Sequence, residues 1–395
     1  MQLPEVQYNA ILSRGCTITP DHAFKQQLQS SYESKKPLCI KFGADPSRPD
    51  LHIGHAVVLN LLRLFQDLGH HVAFIIGDFT ARIGDPTGQN QTRPALDNAI
   101  IQANARSYQD QVFKILKPEN TTVYYNSTWL NTLDLNTLIS WLSRVTLQQM
   151  LVRDDFSKRY AQQQPIQLHE CLYPVLQAYD SVQLHADVEC GGTDQTFNLL
   201  LGRAFQKIAG QSAQSVITLP ILEGLDGTRK MSKSYGNAIG LTETADSIFG
   251  KLMSISDTLM YKYYTLLQPD LLPADYKTQP LAAKKRLARL ITAQLHTPDS
   301  AQAAQAAFEA QVSRKEYPHD MPVYYCTRDI LHWPDIIVDA GLLSSKKAVR
   351  RLLLQGGIKW NRIPQTHSNQ DWDKTPGILQ VGKRQFLKII WHSQK

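Results

Sequence analysis

The sequence predicts an α/β chain built on a doubly wound parallel sheet with a helical insertion, followed by an α-helical region and a small basic α+β module. Three features carry that expectation: two strand–turn–helix passages, a polar helix-spaced stretch between them, and positive charge gathered at the far end. The first passage runs from the apolar PLCIKF through the turn-rich GADPSRPD into a striped segment from Ile53 to Leu68, then VAFIIGDF. Val57, Val58, Leu61, Leu62, Phe65 and Leu68 recur at helical spacing, and Gly69 marks the helix end. In the second passage VQLHADVE alternates like a strand, Gly191-Gly192 turn the chain, and Asp194 to Ile208 reads as helix. Units of this kind place ligands at the carboxyl ends of the strands.

These signals divide the chain into four parts. Residues 1–35 form an N-terminal helical segment, and 36–225 the doubly wound domain, with its helical insertion at about 94–180. Residues 226–330 hold a mobile loop and an α-helical region, and 331–395 the basic module. Thr297-Pro298-Asp299 is a fitting cap and first turn for the Ala/Gln-rich helix that follows. A looser stretch from Glu316 to Trp333 precedes the basic module, and no internal repeat is visible.

Composition narrows the function. With 43% hydrophobic and 19% charged residues, a 395-residue chain can bury a large core. The opening MQLPEVQYNA lacks a basic start followed by an apolar run, and no uncharged stretch nears the ~20 residues that cross a bilayer. A cytoplasmic protein with no membrane partner is expected. Five scattered cysteines without C-x-x-C spacing argue against a disulfide framework and against structural zinc. From Pro334 onward eleven Lys or Arg stand against four acids, which accounts for the whole net charge of +7. A segment so charged suits a polyanion.

Two short motifs carry the chemistry. His52-Ile53-Gly54-His55 falls where the first strand hands over to its helix, so two imidazoles share the opening turn. Backbone N–H groups and the helix dipole favour an anion there, the imidazoles add donors, and Gly54 leaves room for a flat base. Lys230-Met231-Ser232-Lys233-Ser234 lies between Gly227 and Gly236-Asn237, which marks it as a loop. Two lysines three apart can close over a triphosphate and neutralise a leaving pyrophosphate.

In this order the two motifs resemble the signatures of the class I aminoacyl-tRNA synthetases, whose catalytic domain is Rossmann-like. The resemblance implies that His52, His55, Lys230 and Lys233 are catalytic, and that Asp45, Ser47, Gly54, Arg93, Met231 and Ser232 bind ATP. It also implies that an amino acid carboxylate attacks the α-phosphate of ATP with no protein nucleophile, and that Mg²⁺ travels on the phosphates with no protein metal site.

Tyr173, Gln177 and Asp180 stand at i, i+4 and i+7, one polar face if LYPVLQAYDS is helical, with Pro174 best placed near a first turn or a kink. A phenol needs an acceptor, which Asp180 can supply, and an α-ammonium needs partners such as Tyr173, Gln177 and Asp85. LQAYDS followed by GGTDQ resembles the tyrosine branch of the family, which adds Gly43 and Gln195 to the amino-acid pocket and matches Thr80 as well. Two positions depart from that pattern. Lys41 stands where many members have a Tyr beside the phenol, which leaves Asp180 with less help. Gln89 stands where a Lys is common, which shifts load to Lys230, Lys233 and Arg93.

The final segment, IIVDAGLLSSKKAVRRLLLQGGIKWN and then VGKRQF, resembles the small RNA-binding domain named for ribosomal protein S four. Lys346, Lys347, Arg350 and Arg351 line one helix face opposite Val349, Leu352 and Leu353, and with Lys383 and Arg384 they would grip tRNA by phosphate and shape rather than sequence. The resemblance covers nearly the whole chain and implies tyrosine, ATP and tRNA(Tyr) as partners, a homodimer, and no DNA. Three other readings stay open on the residues alone: another nucleotidyltransferase with an H-x-G-H turn, a tryptophan-specific relative, and a non-catalytic RNA-binding protein on a synthetase fold.

Overall fold

The computed structural model describes residues 1–87, 97–313, 321–327, 330–372, 374–382 and 385–392. They form two compact units, Met1–Gln305 and Ala306–Lys395. No helix among the described residues is long and apolar enough to cross a membrane.

The first unit is organised by a six-stranded sheet: β1 (Thr17–Thr19), β2 (Cys39–Ala44), β3 (His71–Ile76), β4 (Thr121–Tyr125), β5 (Val188–Gly192) and β6 (Ser215–Leu219). Their order across the sheet is β1-β6-β5-β2-β3-β4, with β2 to β6 parallel and β1 antiparallel at the edge. The chain winds outward from β2 through β3 to β4, then returns to the other side of β2 for β5 and β6. That reversal opens a crevice beyond the carboxyl ends of β2 and β5. Ile40, Val72, Phe74, Val188 and Ile217 are fully buried, as continuous apolar runs in a parallel sheet require.

Helices α1 (Pro4–Leu12) and α2 (Asp21–Ser34) lead into the sheet, and α3 (Ile53–Asp67) joins β2 to β3. The α3 stripe is buried as its spacing predicts, and Gly69 closes the helix at φ +93°, where a side chain would be strained. After β3 come α4 (Asn98–Val112) and then β4.

Within about 94–180, read as a helical insertion, β4 is a strand paired with β3. Its run TTVYY is short and each of its residues only half-buried, so it gives little signal in the sequence. The helices proper are α5 (Ser127–Leu130), α6 (Leu135–Leu142), α7 (Leu147–Leu151), α8 (Asp154–Ala161) and α9 (Leu168–Leu184). VQLHADVE is not a continuous strand either. Its first three residues finish α9, His185 turns the chain at φ +47°, and β5 starts at Val188. Pro174 sits inside α9, not at its first turn.

Helix α10 (Thr196–Ile208) packs against α9, with Phe205 stacked on Trp141 of α6 at 4.7 Å. Helices α11 (Ala245–Met253), α12 (Asp257–Leu267) and α13 (Pro280–Leu295) lie in the same compact unit. The reason is a set of amide contacts to α3: Asn60 Nδ2 donates to the Leu267 carbonyl at 3.1 Å, and Gln294 donates to Asn60 Oδ1. Helix α14 (Pro298–Ser313) begins as read, with Thr297 Oγ1 accepting from Ser300 N.

The second unit begins well before residue 331. Strand β7 (Val323–Cys326), in the stretch expected to be loose, pairs in parallel with β13 (Gln385–Trp391). That pairing joins residues some sixty apart, which no local pattern reports. The five-stranded sheet runs β10-β9-β12-β13-β7, using β9 (Ile358–Trp360), β10 (Ile363–Pro364) and β12 (Gly377–Val381), while β8 (Ile330–His332) pairs with β11 (Asn369–Asp371). Helices α15 (Trp333–Asp339) and α16 (Lys346–Leu354) contribute Trp333, Ile337, Val349 and Leu353 to a core shared with Trp360, Leu379 and Ile389. A Cβ on Gly377 would lie 2.2 Å from the Trp360 ring, so only glycine fits there.

Candidate active site

The carboxyl ends of the parallel strands border one cleft of about 660 Å³. Gly43 reaches it from β2, Asp45 and Ser47 from beyond β2, Thr80 and Asp85 from beyond β3, and Gln195 from beyond β5. His52, Gly54 and His55 enter on α3, Tyr173, Gln177 and Asp180 on α9, and Lys230, Met231, Ser232 and Lys233 on the loop after β6. Every described residue assigned from sequence to catalysis, ATP or the amino acid thus lines this space. Arg93 and Gln89 lie outside the described residues, as do Lys383 and Arg384 of the basic module.

The paired imidazoles are set by backbone. His52 caps α3 in extended conformation, and its N–H donates to His55 Nδ1 at 3.2 Å. An Nδ1 that accepts cannot carry a proton, so the His55 proton sits on Nε2. Burial pushes the His55 imidazole down to about 4, and burial together with the neighbouring His55, Lys233 and Lys230 drives His52 lower still. Both are neutral donors near neutral pH. Their ring centroids lie 4.1 Å apart, and the His52 ring occupies the space over Gly54, where a Cβ would meet it at 2.9 Å.

The lysine loop is tied down by its own polar groups. Met231 is buried and its N–H donates to the Leu222 carbonyl, while Asn237 Oδ1 accepts from Ser232 N at 2.8 Å. Lys233 pairs with Asp50, and Lys230 lies 3.9 Å from Asp194. A polyphosphate would compete with both carboxylates for the ammonium groups.

A polar chain fixes the remaining wall. Gln195 Nε2 donates to Asp85 Oδ2 at 2.7 Å, and Asn198 Nδ2 donates to both Gln195 Oε1 and Gln177 Oε1 at 3.0 Å. Buried Arg153 donates to Asn198 Oδ1 and to Thr87 Oγ1. Asp180 is almost fully buried, with Oδ1 accepting from Trp129 Nε1 at 2.8 Å and Oδ2 from Asn126 Nδ2 at 3.4 Å. Burial raises its carboxyl to about 6, against the pull of Lys41 and those two donors. A carboxylate so placed can accept one further hydrogen bond.

Trp129, Asn126, Arg153, Asn198 and Asp50 were not found from sequence. Recognising YYN as the end of a strand would have pointed to Asn126 and Trp129, because residues beyond a parallel strand border the ligand crevice. Arg153 and Asn198 had no such signal. Among the described residues no group of three or more His, Cys, Asp or Glu is placed to hold a metal ion.

The family model described as tRNA synthetases class I (W and Y) matches residues 33–313. A tyrosine–tRNA ligase of Desulfotalea psychrophila is 46% identical over 406 residues, covering 99% of this chain and 100% of that one. One from Aquifex aeolicus is 45% identical over 371 residues, covering 93% and 95%. Among solved structures, a C-terminally truncated mitochondrial tyrosyl-tRNA synthetase of Aspergillus nidulans superposes at TM-score 0.64 with 21% identity, covering 77% of this chain and 93% of that one. A tryptophanyl-tRNA synthetase of Plasmodium falciparum reaches 0.54 with 17% identity, covering 76% and 92%, so the fold alone does not select the amino acid.

The depressed imidazole has a consequence for stability. The unfolded chain binds a His55 proton below about 6.5, whereas the folded chain resists it until about 4. The His55 contribution is therefore complete above that upper value and is lost as pH falls through the window. Urea unfolding of His55→Gln at several pH values should show a shallower fall than the wild type between those limits; parallel curves would contradict the assignment.

Proposed function

The chain belongs to the tyrosine branch of the class I tRNA synthetases, and we propose on that premise that it activates tyrosine with ATP and passes it to tRNA(Tyr). A single observation supports this best: paired neutral imidazoles and two loop lysines line the same cleft as a buried carboxylate held by Trp129 and Asn126. Tyrosine would enter with its phenol hydroxyl donating to Asp180 and its ammonium near Tyr173, Gln177, Asp85 and Gln195. Its carboxylate oxygen then attacks the α-phosphate, the bond to the β-phosphate oxygen breaks, and pyrophosphate leaves. In the second step the 3′-terminal ribose of tRNA takes the acyl group and AMP departs.

No side chain need act as nucleophile, so rate comes from placement and charge. Neutral His52 and His55 can donate hydrogen bonds to phosphate oxygens but add no net charge. Neutralising pyrophosphate therefore falls to Lys230, Lys233 and Arg93, the more so with Gln89 in place of a lysine. Asp45, Ser47, Gly54, Met231 and Ser232 would seat the nucleotide, Gly43 the tyrosine, and Mg²⁺ would enter with the triphosphate. We place the reaction in the cytoplasm.

Selection of tyrosine over phenylalanine rests on the cost of leaving buried Asp180 without its phenol partner; tyrosyl-tRNA synthetase is the general example of this rule, so the rule adds no independent support. ATP–pyrophosphate exchange across the twenty amino acids should respond to tyrosine alone. Lys233→Ala should slow adenylate formation by about 10²-fold or more, as loss of a transition-state donor does. An unchanged single-turnover rate would refute its role.

In the second unit Lys346, Lys347, Arg350 and Arg351 are all exposed on α16, opposite buried Val349 and Leu353. Lys346 also pairs with Asp335 at 2.6 Å. This face would hold tRNA by its phosphates. Replacing all four with Ala should weaken tRNA binding and lower its salt dependence, by roughly one unit of slope for each phosphate no longer neutralised, while leaving pyrophosphate exchange intact. Equal salt slopes would exclude the helix.

A homodimer is proposed through the α6 to α9 region, where Leu135, Ile139, Leu147, Val152, Tyr160 and Leu168 are exposed, Val152 at 76% and Leu168 at 85%. Apolar side chains gathered on one stretch of chain mark an association surface. Val152→Asp should shift sedimentation from dimer to monomer; an unchanged profile would place the interface elsewhere.

A further inference from the structure

The tyrosine pocket is backed by a buried charge that neither signature motif supplies. Lys41 lies within β2 with 1% of its surface exposed. A buried ammonium persists only when paired and fully hydrogen-bonded. Its Nζ meets Glu189 Oε1 of β5 at 2.8 Å and two groups of α9, the Gln177 carbonyl at 3.0 Å and Ser181 Oγ at 2.6 Å. Glu189 Oε2 accepts in turn from Ser181 Oγ at 2.9 Å and from Gln214 Nε2. Gly202 of α10 closes over the group, since a Cβ there would lie 2.7 Å from Ser181 Oγ and 3.2 Å from Glu189 Oε2. The two points gripped on α9 flank Asp180 in sequence.

We propose that Lys41 is a positioning residue for the substrate phenol: held by Glu189, its ammonium clamps α9 at Gln177 and Ser181 and opposes the negative charge of Asp180. This rests on the reading that Asp180 receives the phenol. It also gives Lys41 a task of its own, acting through the helix and not on the ligand directly.

The charges around Asp180 give the clamp an electrostatic signature. Lys41 faces it from β2, Glu189 from β5 and Tyr173 from its own helix, while Asn126 and Trp129 donate to it from beyond β4. Asp45 is linked through Thr80 and Asn126. Lys41 favours the ionised carboxylate, and Glu189 disfavours it. Removing Lys41 should let Asp180 keep its proton to higher pH, and neutralising Glu189 should do the reverse.

The test is the acid limb of kcat/KM for tyrosine in pyrophosphate exchange, which reports groups on the free enzyme. Lys41→Met should move its midpoint up by about one pH unit and raise KM for tyrosine roughly tenfold, with KM for ATP near the wild-type value. Glu189→Gln should move the midpoint down. Shifts in the same direction, or none, would overturn the proposal, because disturbed packing carries no sign. If either single variant fails to fold by circular dichroism, the charge-balanced K41M/E189Q double, which leaves neither partner buried alone, decides the matter. It should return the midpoint toward wild type yet retain the raised KM for tyrosine, and a wild-type KM would sink the clamp. Wild-type exchange with tyrosine is the control: without it the functional reading fails, and with it only the role of Lys41 is at stake.

Discussion

The gap between β2 and β5 is the constraint on which the rest depends. Because the chain winds away from β2 in one direction and returns on its other side, the loops beyond these two strands diverge and cannot fill the space between them. Helix α3 begins at that gap, so its first turn and both imidazoles border it. Strand β5 runs into the turn that carries Gln195, and α9 delivers Asp180 to the same cleft. Sheet, helix dipole and pocket are one construction.

Charge is distributed in that space with a clear division. The imidazoles are neutral because burial and nearby lysines disfavour their protonation, so they contribute direction and hydrogen-bonding capacity. The loop lysines contribute charge, and each meets a carboxylate. Lys41 and Glu189 form a fully buried pair that reaches the pocket only through α9. Such a pair adds little net stability, yet breaking one side of it costs about 3–5 kcal/mol. Its value lies in geometry: three hydrogen bonds on one ammonium allow α9 few alternative placements.

Much of this was legible in the residues. Helix α3 could be read to within a residue or two because its apolar stripe is long and bounded by His52 and Gly69. The lysine loop was marked by its glycines. Less legible were short elements and long-range pairings. Strand β4 has no fully buried residue, so its alternation is weak, and with it Asn126 and Trp129 passed unnoticed beside Asp180. VQLHADVE misled because an alternating pattern spans the end of one helix and the start of one strand. Strand β7 gains its identity from β13, far along the chain.

What the sequence determined by itself was the chemistry on offer: paired imidazoles at a helix start, two lysines on a glycine-bounded loop and a basic terminal helix, since these follow from residue type, local spacing and composition. The tertiary structure alone decided how those groups are tuned. Lys41 reads in the chain as the absence of a tyrosine, and only its burial against Glu189 and Ser181 reveals a clamp. The same holds for the neutral imidazoles and the raised Asp180, because desolvation depends on every element packed around a group and not on the neighbours it has in sequence.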